Sequence, residues 1–217
     1  MYPYVIFDLD GTLLDTLEDL AIATNWVCEQ HGWPTYPVER FKEFVGNGAP
    51  KLLERVTPVD LELTQELRRQ TLEEFTNRYT NLEEDHTRPY PGMVSLAKEL
   101  KERGIRTAVL TNKPHEAAYP IVNRYYPDLF QWVQGALPQY PTKPDPTLLR
   151  QLMAQMGADP RRTLFVGDSN VDIQTAKNGN LTSCGVLWGF RSRQELEGEG
   201  ADFLAESAEE LAKLILY

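Results

Sequence analysis

Hydrophobic and polar positions along this chain follow two periods. Tyr4-Val5-Ile6-Phe7 is an unbroken run of β-branched and aromatic residues, the pattern of a buried strand, and Asp8-Leu9-Asp10-Gly11 follows it at once. If the strand alternation runs on, Asp8 and Asp10 share a side, where two close like charges need a cation or a shared proton. A stripe of Leu20, Ala21, Ala23, Thr24 and Val27 then predicts a helix over 17–31, capped by Asp15 or Thr16 and stopped by Gly32 and Pro34. From 37 to about 80 the pattern stays helical, without strand signals, and Gly46-Asn47-Gly48-Ala49-Pro50 supplies a turn between two of those helices.

Beyond Pro89-Tyr90-Pro91-Gly92 the pattern changes to short alternating units. Strands are predicted at 106–110, 129–133, 163–166, 182–187 and 202–204. Helices are predicted over 93–103 and 115–124, from 147 to about 156, to Gly179 and from Ala208, with Pro120 interrupting the second. Such alternation implies an α/β fold, a Rossmann-like parallel sheet with helices on both faces, and it gathers functional loops at the carboxyl ends of the strands. The helical block divides the chain into a core of residues 1–15 and 83–217 and an inserted α-helical cap of residues 16–82.

Composition sets limits on function. With 217 residues, 41% of them hydrophobic, the chain can bury a sizeable core. A formal charge of −10 and the lack of a basic stripe argue against nucleic acid as a partner. No stretch approaches the roughly 20 apolar residues of a membrane span, and no basic lead opens the chain, so a soluble, cytoplasmic protein that does not enter membranes is expected. Cys28 and Cys184 lack metal-ligand spacing and are expected as reduced, buried or half-buried thiols.

Four polar clusters follow predicted strands or loops on one sheet edge: Asp8 with Asp10, Thr111 with Asn112, Lys143, and Asp168 with Asp172. Taken singly, each has an ordinary structural reading. Aspartates end strands and cap helices, Thr111 could be a turn hydroxyl, Lys143 a solvated lysine, and Asp168 and Asp172 a cap and a dipole charge. Together they offer carboxylates for a hard divalent cation, a hydroxyl and an amide for phosphate oxygens, and a lysine to neutralise the remaining charge. That set suits phosphoryl transfer. Mg²⁺ prefers few carboxylates plus water and substrate phosphate, which fits Asp8 and Asp168 as direct ligands. One aspartate can attack phosphorus while another exchanges protons with the leaving oxygen and with water.

Asp8-Leu9-Asp10-Gly11-Thr12-Leu13, Leu110-Thr111-Asn112-Lys113-Pro114, Lys143-Pro144-Asp145-Pro146 and Gly167-Asp168-Ser169-Asn170-Val171-Asp172 resemble, in order and spacing, the four motifs of the haloacid dehalogenase superfamily. The helical insertion resembles that superfamily's small α-helical cap. The resemblance implies that Asp8 is the nucleophile and that Asp10 is the general acid/base, lending its backbone carbonyl to Mg²⁺. It implies that Thr111 and Asn112 bind the transferring phosphoryl group and that Lys143 stabilises its charge and that of Asp8. The resemblance further implies that Asp168 completes the metal site and that Asp172 positions the ligands from behind them. An Asp two residues after the nucleophile favours phosphatase or phosphomutase chemistry over dehalogenation.

For the substrate, Phe44-Val45-Gly46-Asn47-Gly48-Ala49, Thr111-Asn112-Lys113-Pro114 and Leu164-Phe165-Val166-Gly167-Asp168-Ser169 are similar to phosphoglycolate phosphatases. The expected reaction is Mg²⁺-dependent hydrolysis of a small phosphorylated metabolite by a monomer or homodimer. A β-phosphoglucomutase-like isomerase and a pyrophosphate or nucleotide phosphatase are the alternatives within this chemistry. A binding protein on an inactive scaffold would lack Asp8, Asp10, Lys143 or Asp168, and all four are present.

Overall fold

The computed structural model describes residues 1–82 and 86–217. The chain divides into two compact units, residues 1–15 with 88–217 and residues 16–87. The boundary expected at 82/83 meets residues 83–85 and so lies outside the described residues.

The strands are β1 (Tyr4–Phe7), β2 (Leu14–Asp15), β3 (Arg88–Pro89), β4 (Arg106–Pro114), β5 (Trp132–Ala136), β6 (Thr163–Gly167), β7 (Thr182–Val186) and β8 (Phe203–Ala205). Six of them form one parallel sheet in the order β5-β4-β1-β6-β7-β8. The chain runs outward from β1 to β4 and β5, then returns to the other flank of β1 and continues through β6, β7 and β8. β1 therefore lies at the point where the strand order reverses, the place where open α/β sheets bind ligands beyond the strands' carboxyl ends.

Among the described residues the second unit holds the α-helices α1 (Leu17–Gln30), α2 (Phe41–Phe44), α3 (Ala49–Val56) and α4 (Gln65–Thr80). The first unit holds α5 (Met93–Glu102), α6 (His115–Tyr125), α7 (Thr147–Met156), α8 (Asn170–Gly179), α9 (Arg193–Gly198) and α10 (Ala208–Leu216). Alternation along β1 explains the layering. Val5 and Phe7 pack into a core with α5, α6 and α10, through Leu96, Leu100, Val122, Leu211 and Ile215. Ile6 points the other way, into a core with Leu149, Leu152 and Met156 of α7 and Ala176 of α8. Each of these three β1 side chains is essentially inaccessible to water, a burial that contributes about 1.5–3 kcal/mol apiece.

Several local expectations shift. β4 runs on to Pro114, so Thr111, Asn112 and Lys113 are strand residues rather than a loop after it. β5 starts three residues later than predicted, at Trp132. α6 passes through Pro120, because Ala118 and Val122 are fully packed and offset the loss of one helical hydrogen bond. Thr16 occupies the N-cap position of α1 but its side chain makes no cap bond. The ribbon β2–β3, with Leu14 opposite Pro89 and Asp15 opposite Arg88, was not foreseen. It pairs the segment that leaves the first unit with the one that re-enters it.

Inside the second unit, Asp19 is buried and accepts from the His86 and Thr87 main-chain N–H groups, both at 2.9 Å, and from the Thr87 hydroxyl at 2.6 Å. The Gly46-Asn47-Gly48 segment is the turn between α2 and α3, with both glycines at positive φ and the Asn47 side-chain Oδ1 accepting from Arg55 at 2.7 Å. Lys51 pairs with Glu54 at 2.6 Å. The two cysteines are free and buried, and no helix among the described residues is long and apolar enough to cross a membrane.

Candidate active site

Asp8 and Asp10 lie beyond the strand, so strand alternation is not what arranges them, although the charge of Asp10 still reaches Asp8. β1 ends at Phe7, and the chain then folds into a tight loop in which the Leu9 carbonyl accepts from the Leu13 and Leu14 N–H groups at 2.9 and 3.0 Å. Gly11 turns the loop with φ +86°, a conformation other residues adopt only with strain. The loop is tied down from outside. Tyr126 donates its hydroxyl to the Leu13 carbonyl at 2.7 Å, Trp188 its indole N–H to the Thr12 carbonyl at 3.0 Å, and Thr12 its hydroxyl to Asp168 at 3.1 Å. In this loop the two aspartates part, each toward a lysine of its own.

Asp8 follows β1 with its N–H on the Val166 carbonyl of β6, at 2.8 Å. Lys143 Nζ lies 2.8 Å from Asp8 Oδ1 and 2.7 Å from Asp172 Oδ1, bridging the two carboxylates. The contact with Asp8 is too oblique for a hydrogen bond, so Asp8 Oδ1 is a buried oxygen without a hydrogen-bond donor. Asp10 turns instead to Lys113, whose Nζ is 3.2 Å from each of its carboxylate oxygens.

Lys143 is held by Asn112. The Asn112 side chain accepts the Lys143 N–H at 2.8 Å and donates to the Lys143 carbonyl at 3.1 Å, so both ends of its amide are engaged with the Lys143 main chain. The neighbouring Thr111 Oγ1 is buried and accepts the Lys113 N–H at 3.1 Å. Asp168, just past β6, accepts from Thr12 through Oδ1 and from the Phe190 N–H through Oδ2, at 2.8 Å. Asp172 in α8 uses Oδ1 for Lys143 and Oδ2 for the Ser169 N–H and hydroxyl, at 3.1 and 2.6 Å. That is a helix-capping bond, as its position in the first turn suggested, and its other oxygen serves the site.

Charge dominates this pocket of the core. Four carboxylates, Asp8, Asp10, Asp168 and Asp172, face two ammonium groups, Lys113 and Lys143. Burial, then the charge of Asp172, pushes the Asp8 carboxyl up to about 7, although Lys143 works against the rise. Burial raises Asp168 well above the usual carboxylate range, with Asp172 and Asp8 adding to it. Burial opposes the charge on Lys143, but Asp172 and Asp8 outweigh it and hold the ammonium firmly protonated. Carboxylate oxygens of Asp8, Asp168 and Asp172 lie within 4.8 Å of one another. The donorless oxygen of Asp8, the excess of negative charge and the all-oxygen donor set fit a hard divalent cation.

Glycines let the carboxylates approach. A Cβ on Gly11 would come 2.4 Å from Asp168 Oδ2, one on Gly189 2.2 Å from the Asp168 Cβ, and one on Gly167 2.2 Å from the Asp172 Cβ. Gly11→Ala is therefore expected to cost more than the about 1–2 kcal/mol of a left-handed alanine alone. Gly104→Ala, at φ +71° with open space around it, should cost only that amount, as urea midpoints would measure. Equal losses in the two variants would refute the close approach.

All seven site residues expected from the sequence come to this one sheet edge. Lys113, Thr12, Gly189 and the Phe190 N–H join them without having been foreseen. Lys113 stood inside a quoted motif, but nothing local marked it as the partner of a residue 103 positions away.

The family model for haloacid dehalogenase-like hydrolases matches residues 5–186. The chain belongs to this family. The phosphoglycolate phosphatase of Vibrio vulnificus strain CMCP6 is 34% identical over 217 residues, covering 98% of this chain and 95% of its own length. That of Pseudomonas syringae pv. syringae strain B728a is 34% identical over 97% of this chain and 78% of its own length. A crystal structure from Lactobacillus delbrueckii subsp. bulgaricus, of a protein provisionally described as a phosphoglycolate phosphatase, superposes with a TM-score of 0.90 at 33% identity, covering 99% of this chain and 98% of that one. With these relatives, the family member described here is a phosphoric monoester hydrolase.

Proposed function

We propose that the chain hydrolyses a small phosphomonoester, phosphoglycolate foremost, by way of a phosphoryl group carried on Asp8. The observation that carries this reading is Asp8 itself: a buried carboxylate at the reversal point of the sheet, with a donorless oxygen beside Lys143 and two further carboxylates within 4.8 Å. A carboxylate oxygen that accepts no hydrogen bond and is steadied by a neighbouring ammonium can serve as a nucleophile. Asp8, Asp168 and the Asp10 main-chain carbonyl would hold Mg²⁺, which when bound neutralises negative charge on the phosphoryl oxygens.

In the first half-reaction an Asp8 oxygen forms a bond to phosphorus, the bond from phosphorus to the ester oxygen breaks, and Asp10 gives its proton to the departing oxygen. In the second, water attacks the same phosphorus, passes a proton to Asp10 and frees inorganic phosphate, which restores the Asp8 carboxylate. Thr111 Oγ1 binds the transferring group, and Lys143 balances its charge while staying paired with Asp172. Asn112 contributes by holding Lys143 in register. The helical unit of residues 16–87, inserted between β2 and β3, would act as the cap that selects the leaving group.

The substrate assignment rests on the names of the relatives together with the completeness of the catalytic set. Phosphate release measured with Mg²⁺ across small phosphorylated acids, sugar phosphates, nucleotides and pyrophosphate tests it. The highest kcat/KM is expected for phosphoglycolate. A clear preference for bulky sugar phosphates, or isomerisation of one that requires a bisphosphate, would overturn the substrate while leaving the covalent chemistry standing.

A further inference from the structure

We propose that Lys113 is the positioning residue for the acid/base carboxylate, acting through Asp10 and not on the phosphoryl group; this rests on the reading of Asp10 as proton carrier given above. Lys113 stands on β4, two residues after Thr111. Its side chain is 5% exposed, and its Nζ grips both oxygens of Asp10 at 3.2 Å. A buried ammonium costs several kcal/mol unless it is paired, so its place in the fold depends on a partner such as Asp10. Asp10, for its part, is on a loop rather than a strand, two residues from a like-charged nucleophile. Left alone, its side chain has several staggered positions, and only some put a proton within reach of the ester oxygen. The two-point contact with Lys113 selects one of them.

The strand supplies the geometry. Along this stretch of β4, where the pairing with β5 shifts register between Leu110 and Pro114, the Asn112 side chain goes to the Lys143 main chain and the Lys113 side chain to Asp10. Each of the two carboxylates with different tasks has a lysine against it, Lys143 at Asp8 and Lys113 at Asp10. The Thr111 hydroxyl, accepting the Lys113 N–H at 3.1 Å, locks this stretch of strand in place.

The experiment compares Asp10→Asn, Lys113→Met and the double variant on two substrates with different leaving groups. With an alkyl phosphomonoester, whose oxygen needs a proton to depart, Lys113→Met should lower kcat by about 10²-fold, the scale of lost general-acid catalysis. With 4-nitrophenyl phosphate the leaving oxygen needs none. A stopped-flow burst of about one nitrophenolate per site should persist at near the wild-type rate, followed by slow turnover as the phosphorylated Asp8 waits for an activated water. The double variant should fall no more than about threefold below Asp10→Asn alone, since both changes remove one function. Lys113→Arg, which can still fork onto a carboxylate, should recover most of the turnover, and it keeps the test decisive if the Met variant folds poorly.

A raised KM at unchanged kcat, equal losses on both substrates, or losses that multiply with those of Asp10→Asn would overturn the proposal in favour of direct phosphoryl binding. Lys113→Arg no better than Lys113→Met would also count against it. If Asp10→Asn itself leaves kcat intact on the alkyl ester, it is the acid/base reading that fails. A loss in Asp10→Asn with none in Lys113→Met leaves that reading standing and removes only the role given to Lys113.

Discussion

Asp8→Asn ends phosphate release, with kcat falling by at least about 10⁴-fold, as expected when a covalent nucleophile is removed. The substitution keeps the shape of the side chain and replaces the nucleophilic carboxylate beside Lys143 by a neutral amide, whose oxygen is a poor nucleophile toward phosphorus. It leaves the surroundings in place, because Lys143 retains Asp172 at 2.7 Å and Asn112 continues to hold its main chain. The fold should not suffer. Burial has already driven the Asp8 carboxyl up to about 7, so a neutral amide relieves an unfavourable charge, and the melting temperature of the metal-free variant should equal or exceed that of the parent. Rapid quenching during turnover, followed by mass spectrometry, should find one added phosphoryl group on the peptide containing Asp8 and none in the variant. Turnover above about a hundredth of the parent rate in a well-folded variant would falsify the covalent role.

The second large effect is on stability. In chelator, the protein should become less stable as pH rises from about 4 to about 7, and Mg²⁺ should restore what is lost. The sign follows from proton counts. The Asp8 carboxyl ionises near 3.8 in an unfolded chain and at about 7 in the fold, so between those values the native state holds a proton that the unfolded state has released. Stability then declines with pH across the window and levels off above it for this group. Three pK units correspond to roughly 4 kcal/mol as a ceiling. Asp168, raised in the same direction by burial and by the same neighbours, adds to the decline.

A cation that binds only the folded site at 100 times its Kd contributes about 2.7 kcal/mol. For a chain of this size that is several degrees in Tm, at about 2–4 °C per kcal/mol. Differential scanning fluorimetry of the parent and of Asp168→Asn, each with chelator or Mg²⁺ and across pH, measures both effects. The Asn variant should lose the response to Mg²⁺ together with activity. A parent protein whose Tm ignores Mg²⁺ at neutral pH would sink the metal site.

Much of this arrangement is legible in the residues. Tyr4-Val5-Ile6-Phe7 declares a buried central strand because only a sheet covered on both faces has use for side chains that are apolar at every position. The alternation after Gly92 announces parallel sheet and covering helices. Asp8, Thr111 and Asp168 announce themselves as polar residues placed just where hydrophobic runs end, whereas Lys143 is marked only by its motif. Other features resist such reading. Trp132 and Val133 of β5 are half-buried, so the pattern that would mark the strand start is weak there. Pro120 misleads, since its local penalty is outweighed by packing from distant residues. The ribbon of Leu14-Asp15 with Arg88-Pro89 is two residues long on each side, too short to have a period.

The sequence by itself determined the order of elements, the division of the chain into alternating and helical parts, and the stock of reactive groups at the strand ends. These depend on periods of 2 and 3.6 residues and on near neighbours, which are written locally. Only the tertiary structure decided which lysine serves which aspartate, that Asp10 stands in the loop after β1, and that Asn112 spends its amide on the main chain of Lys143. Those pairings join residues 31 and 103 positions apart. They arise from sheet order and loop closure, and no local pattern of side chains carries that information.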